Sequence, residues 1–160
     1  MYYSTTNPTT YPITYQQVKA ARRLTDDDER EFIIDLMDRA TSYAEAYMSI
    51  CLVERTVIAS YYDGDALELP VVPLIEITSV SGDVPYDLYR SGNVVRFLPK
   101  ASVVYPLTIT YQAGYEVIPA SIASGINSHV SRMHANRDTT IEMDDIHRIY
   151  DLYTTKIVVG

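Results

Sequence analysis

The hydrophobic pattern of this chain changes period twice, and those two changes limit its possible folds more than any other feature. Ile33, Leu36, Met37, Ala40, Tyr43, Ala44 and Tyr47 recur at steps of three and four residues, which places them on one face of a helix. From Leu52 the steps shorten to two in LVERTVIASYY, where β-branched and aromatic residues dominate. Beyond Pro119 the helical spacing returns with Ile122, Ile126, His129, Val130 and Met133. A chain of 160 residues normally makes one domain with one core. The predicted fold class is therefore α+β, mainly α: a helical bundle of one long helix plus shorter helices, with a small antiparallel β-rich insertion.

Local signals place the elements within that plan. Thr14 with Gln17 three residues on makes a capping box, and Ile13 can staple to Val18, so a helix is expected from Tyr15 to about Arg23. Thr25 before Asp26, Asp27, Asp28 and Glu29 reads as the cap and acidic first turn of the longest helix, roughly Asp26 to Ile50. Strands are expected at Leu74 to Val80, Val94 to Leu98 and Leu107 to Gln112, with a hairpin turn at Asp63-Gly64-Asp65. Pro70, Pro73, Pro85, Pro99 and Pro106 fall at strand ends or turns, where a missing amide proton costs no ladder bond. Pro119 suits the first turn of a third helix, about Ala120 to Ala135, and Ile146, Ile149, Tyr150 and Tyr153 suggest a short fourth. Residues 1–12, rich in Thr, Tyr, Asn and Pro without periodicity, read as a flexible arm. The main domain spans 13–138, with the β insertion at about 52–115, and residues 139–160 form a short helix and an extended tail.

Aromaticity rests almost wholly on tyrosine, with 15 Tyr, 2 Phe and no Trp. A tyrosine can line a core and keep its hydroxyl at a wet contact, which suits a protein with much interfacial surface. A net charge of -8 argues against a surface built to hold phosphates, because nucleic-acid affinity comes mainly from clustered Lys and Arg. The same charge would keep DNA from adhering to a conduit wall. The lone Cys51 permits no internal disulfide. The N-terminus lacks the basic and apolar regions of a signal peptide, and no segment has the ~20 apolar residues that span a bilayer, so neither export by that route nor membrane anchoring is expected.

Catalytic and metal chemistry find no frame in the sequence. His129 and His134 stand five apart on a helix and do not share a face as ligands four apart would. His147 has Asp144 and Asp151 within helical reach, an ordinary surface pairing. The acidic run and the pair Asp144-Asp145 lack the alternating spacing and loop glycine of a calcium site. No nucleophile elbow and no phosphate-cradling glycine loop occurs, so neither an enzyme nor a cofactor-binding protein is predicted. The apolar tail Lys156, Ile157, Val158 and Val159 should either pack against its own chain or add a strand to another subunit.

Five short segments occur in an order seen elsewhere. They are Pro12-Ile13-Thr14 with Lys19 following; Ala44 to Tyr47, reading Ala-Glu-Ala-Tyr; and the Leu-Pro-x-x-Pro-Leu block leading to Ile-Thr-Ser-Val, Leu69 to Val80. Thr108 to Tyr115 with Ile118-Pro119 comes next, and Asn136-Arg137-Asp138 closes the series. Across about residues 11 to 138 this pattern resembles the head-tail connector (adaptor) proteins of tailed bacteriophages. Relatives often carry aromatic residues just before the Asn-Arg closure, where this chain has Met133-His134-Ala135.

The resemblance implies a virion structural protein, made in the host bacterial cytoplasm. It would assemble as a homo-oligomeric ring, a dodecamer, beneath the portal protein, extend the DNA channel without binding DNA specifically, and dock the next neck or tail protein. A ring of identical wedges needs a heterologous interface on each flank. The expected partner contacts are Tyr2, Tyr3 and Tyr11 of the arm and Lys156, Ile157, Val158 and Val159 of the tail. Asp26, Asp27, Asp28 and Glu29 are candidates for the channel wall. The rival reading within the same class is a tail-completion or tail-terminator ring protein.

Overall fold

Thr14 and Gln17 start the first helix as their spacing requires. The Thr14 hydroxyl accepts from the Gln17 amide at 3.2 Å, and the Gln17 side chain accepts from the Thr14 amide at 2.6 Å. In the computed structural model, which describes residues 1–64, 67–137 and 141–154, this helix is α1, Tyr15–Arg22. Arg23 ends it in the left-handed region at φ 56°. The other helices are α2 (Arg30–Met48), α3 (Ala120–Ala135) and α4 (Asp144–Asp151). The strands are β1 (Tyr2–Thr5), β2 (Arg55–Tyr61), β3 (Leu74–Val80), β4 (Tyr86–Ser91), β5 (Val94–Pro99) and β6 (Leu107–Ala113).

These elements form two compact units, Met1–Thr9 with Val53–Glu116, and Thr10–Leu52 with Val117–Gly160. In the sheet unit, four antiparallel strands lie in the order β1-β2-β6-β3, and β4 pairs with β5 as a separate two-stranded sheet. The alternation read from the sequence sets the two faces. Val57 lies opposite Tyr111 and Ala59 opposite Ile109, all buried, while Thr56, Ile58, Ser60, Thr108, Thr110 and Gln112 point to the other face. Over the buried face runs the segment 67–72: the Tyr61 hydroxyl donates to the Glu68 carbonyl at 2.7 Å, and the Tyr111 hydroxyl meets both the amide and the carbonyl of Val71 at 3.1 Å. Gly114 closes β6 at φ 123°, and a Cβ there would stand 2.8 Å from the Val53 and Glu54 backbone, so only glycine fits.

In the helical unit α2 buries Ile33, Leu36, Met37, Ala40, Ala44 and Met48, and α3 buries Ile122, Ile126 and Val130. α4 contributes Ile146 and Tyr150. Gly125 lets α4 approach α3 closely, since a Cβ there would lie 3.0 Å from the Tyr150 ring.

The expected fold class needs correction. The molecule is not a mainly α helical bundle with one long helix and a small β insertion, because its strands build a unit with its own buried residues, among them Val57, Phe97, Ile109 and Tyr111. Two physical reasons account for the difference. β1 recruits the N-terminal residues into the sheet, yet as an edge strand whose residues are all exposed it carries no period-two pattern to announce itself. The helix expected from Asp26 starts instead at Arg30, leaving α2 at 19 residues. Its acidic lead-in forms a turn whose carboxylates bind side chains of α1 and the C-terminal end of α3. The tail residues Lys156, Ile157, Val158 and Val159 lie outside the described residues, as do Asp65 and Asp138.

Candidate functional site

The acidic turn Asp26-Asp27-Asp28-Glu29 is a cross-brace of the helical unit. Asp27 accepts from the Lys19 ammonium at 2.6 Å and from the Tyr15 hydroxyl at 2.9 Å, both on α1. Lys19, then Tyr15, holds the Asp27 carboxyl below the usual carboxylate range, and Asp27 in turn raises the lysine. Glu29 reaches α3 and the residues just after it. It accepts from the Arg137 guanidinium and from His134 Nε2, the latter at 2.8 Å. Arg137, then His134, lowers the Glu29 carboxyl in the same sense. His134 is buried, and Arg22 of α1 donates to its Nδ1 at 3.2 Å. With Nδ1 accepting and Nε2 donating, the neutral Nε2–H tautomer satisfies both partners. Arg137 also lies over the Phe32 ring at 4.7 Å. The Asp26 carboxylate stays with its own turn, where it accepts from Thr25 at 3.5 Å and from the Asp28 amide at 3.4 Å.

A second cluster, not read from the sequence, joins α2, α3 and α4. The Tyr43 hydroxyl meets His147 Nε2 at 2.7 Å, the Tyr47 ring stacks on the His147 ring at 4.6 Å, and the Tyr47 hydroxyl donates to Asp151 at 2.7 Å. The Tyr43 ring also stands edge-on to His129 at 5.1 Å. Burial lowers the His129 imidazole, with His147 and Arg132 adding to the effect. The expected pairing of His147 with Asp151 is replaced by tyrosines that take both residues from α2. The signal lay in the four-residue spacings Tyr43/Tyr47 and His147/Asp151, each of which puts two polar-tipped groups on one helix face. Nothing in the sequence pairs those two faces with each other.

Of the residues expected to meet partners, Tyr2 and Tyr3 sit on β1 and Tyr11 follows the strand; all three are exposed. Tyr2 and Tyr3 belong to the sheet unit, and Tyr11 and residues 26–29 to the helical unit. A cleft lined by Arg132, Asn136, Glu142, Asp145 and Arg148 also opens in the helical unit, and Arg132 is already bound to Asp145 and the Glu142 carbonyl. Among the described residues no three His, Cys, Asp or Glu side chains are grouped to hold a metal ion. No helix among them is long and apolar enough to cross a membrane.

No protein-family model and no curated protein matches the chain. Solved structures do. A chain from the virion of a native gene transfer agent particle aligns with TM-score 0.75 at 15% identity, covering 100% of this chain and 99% of that one. A chain from the neck of an empty gene transfer agent particle, computed with C6 symmetry, gives the same TM-score, identity and coverage. A third, from the neck of the native particle computed with C12 symmetry, gives TM-score 0.69 at 16% identity over 96% of this chain and 97% of that one. At such identities the likeness is one of fold, and it extends from end to end of the chain.

Proposed function

We infer that this protein is a structural component of the neck of a phage-like particle, and within the neck the adaptor. It assembles as a dodecameric ring under the portal, extends the DNA channel and offers a docking surface to the next neck or tail protein. The observation that carries this reading is the full-length fold likeness to chains of gene transfer agent neck and virion structures. The ordered motifs from Pro12 to Arg137 support it independently. The role requires no reaction, only surfaces that fit.

The exposed tyrosines Tyr2, Tyr3 and Tyr11 are the contact residues put forward for neighbouring proteins, together with Lys156 to Val159. For the channel wall, Asp26 and Asp28 take precedence over Asp27 and Glu29, whose carboxylates already hold the helical unit together. An acidic wall repels the DNA phosphates and lets the duplex slide.

A tail-completion or tail-terminator ring is the second reading, which a neck computed with C6 symmetry also admits. Native mass spectrometry of the full chain mixed with the portal ring of the same particle separates the two. The adaptor reading expects one copy bound per portal subunit. A free hexamer that ignores the portal would replace it with the tail-completion role.

A further inference from the structure

The four-stranded sheet ends on β1 at one edge and on β3 at the other. All three pairings between them are antiparallel, so β1 and β3 run in opposite directions. A second copy rotated about a ring axis and set alongside therefore presents its β3 to the first copy's β1 in the antiparallel sense. The sheet can continue from copy to copy without any strand being turned over.

Among the described residues no strand lies outside β1. The Thr6 amide donates to the Thr56 carbonyl at 3.0 Å, and bonded and non-bonded pairs alternate along an antiparallel ladder. Ser4 and Tyr2 thus direct their main-chain groups to Ile58 and Ser60 of β2, and Tyr3 and Thr5 direct theirs outward. Natural edge strands are blunted by charge, proline or bulges. The segment YYST has no charge or proline, and its register with β2 is unbroken. Tyr2 and Tyr3 are 66% and 46% exposed, large amphipathic side chains of the type that anchors protein interfaces. β3 carries one charge, Glu76, so no like-charge clash opposes the junction, although its own ladder with β6 shifts register twice, between Leu74 and Glu76 and between Ile77 and Ser79.

We propose that β1 of one copy pairs with β3 of the next, so that this strand-to-strand contact is a flank interface of the ring. The proposal rests on the ring reading above and adds which surfaces meet. Pairing of β1 with another β1 would be isologous, a two-fold contact that by itself closes as a dimer and builds no ring.

The test uses the full chain with the same portal ring. Tyr3→Pro and Thr5→Pro each remove one outward amide and leave the β2 ladder intact, a placement edge strands tolerate. Each variant is expected to keep the wild-type circular dichroism and to need roughly tenfold more protein for ring formation. A second arm pairs Tyr3→Cys in turn with Ile75→Cys, Ile77→Cys and Ser79→Cys. Oxidation should link successive copies in at least one pair, and Tyr3→Cys alone should link none. Proline variants that ring at the wild-type concentration, no cross-link from any pair, or dimers from Tyr3→Cys alone would each overturn the strand junction. Those results leave the ring reading standing if wild-type rings form; a wild-type chain that forms no ring overturns both.

Discussion

In the helical unit, side chains do the joining: Asp27 and Glu29 reach to α1 and to the end of α3, and Tyr43 and Tyr47 hold His147 and Asp151 of α4. In the sheet unit the backbone ladder does it, and side chains on one face of β2 and β6 bond mainly to one another, as Thr56 does to Gln112 and Ser60 to Thr108. The difference matters for partners. Polar groups spent on internal bracing are not available to a neighbour, whereas a sheet edge held by its backbone keeps both its side chains and its outward amides for one.

The comparison also makes two tyrosines opposites. Tyr111 in β6 is buried with its hydroxyl bonded to both main-chain groups of Val71. Tyr150 in α4 is equally buried, but its hydroxyl has no hydrogen-bond partner among the described residues, and burial raises the phenol well above its ordinary value.

The largest effect is expected from the core. Ile126→Ala on α3, at a fully buried position, should cost about 2–5 kcal/mol in denaturant melts. A cost below about 1 kcal/mol would mean that side-chain braces rather than apolar burial carry the helical unit. Next come the tyrosines. Tyr111→Phe should destabilise by about 1 kcal/mol, and Tyr150→Phe should stabilise by about the same amount, because one hydroxyl is paired and the other is desolvated without return. Equal signs in the two melts would mean that the two hydroxyls do not differ in pairing. The smallest effect is a pH slope. His129 has a folded value below its ordinary one of about 6.5, so its contribution to stability is complete above that pH and is lost as the pH falls through the lower folded value. Melting temperatures measured from pH 8 to pH 5 should therefore decline below about 6.5, and less so in His129→Leu. An unchanged slope in that variant would remove His129 from the account.

Much of the local structure was legible beforehand. The capping box at Thr14, the bounds of α3 and the clean alternation of Leu107, Ile109 and Tyr111 each rest on contacts between residues a few positions apart, which sequence spacing records directly. An acidic run suits a helix N-terminus on local grounds, but ahead of α2 it is drawn into a turn by Lys19, eight residues before Asp27, and by His134 and Arg137, more than 100 residues beyond Glu29. β1 went unseen because an exposed edge strand has no buried face to impose a period.

By itself the sequence determined the existence of the four helices and of the strands β2, β3, β5 and β6, the buried faces of β2, β6 and α3, and the order of motifs that resembles phage adaptors. Those properties follow from periodicity, capping and turn chemistry, all of them short-range. Tertiary structure alone decided that the strands form a unit of their own, that residues 2–5 supply its edge, that the acidic turn braces three helices, and that Tyr43 and Tyr47 meet α4. These depend mainly on pairing residues far apart in the chain, as Thr6 with Thr56 and Glu29 with His134, and a single sequence carries no record of which distant faces meet.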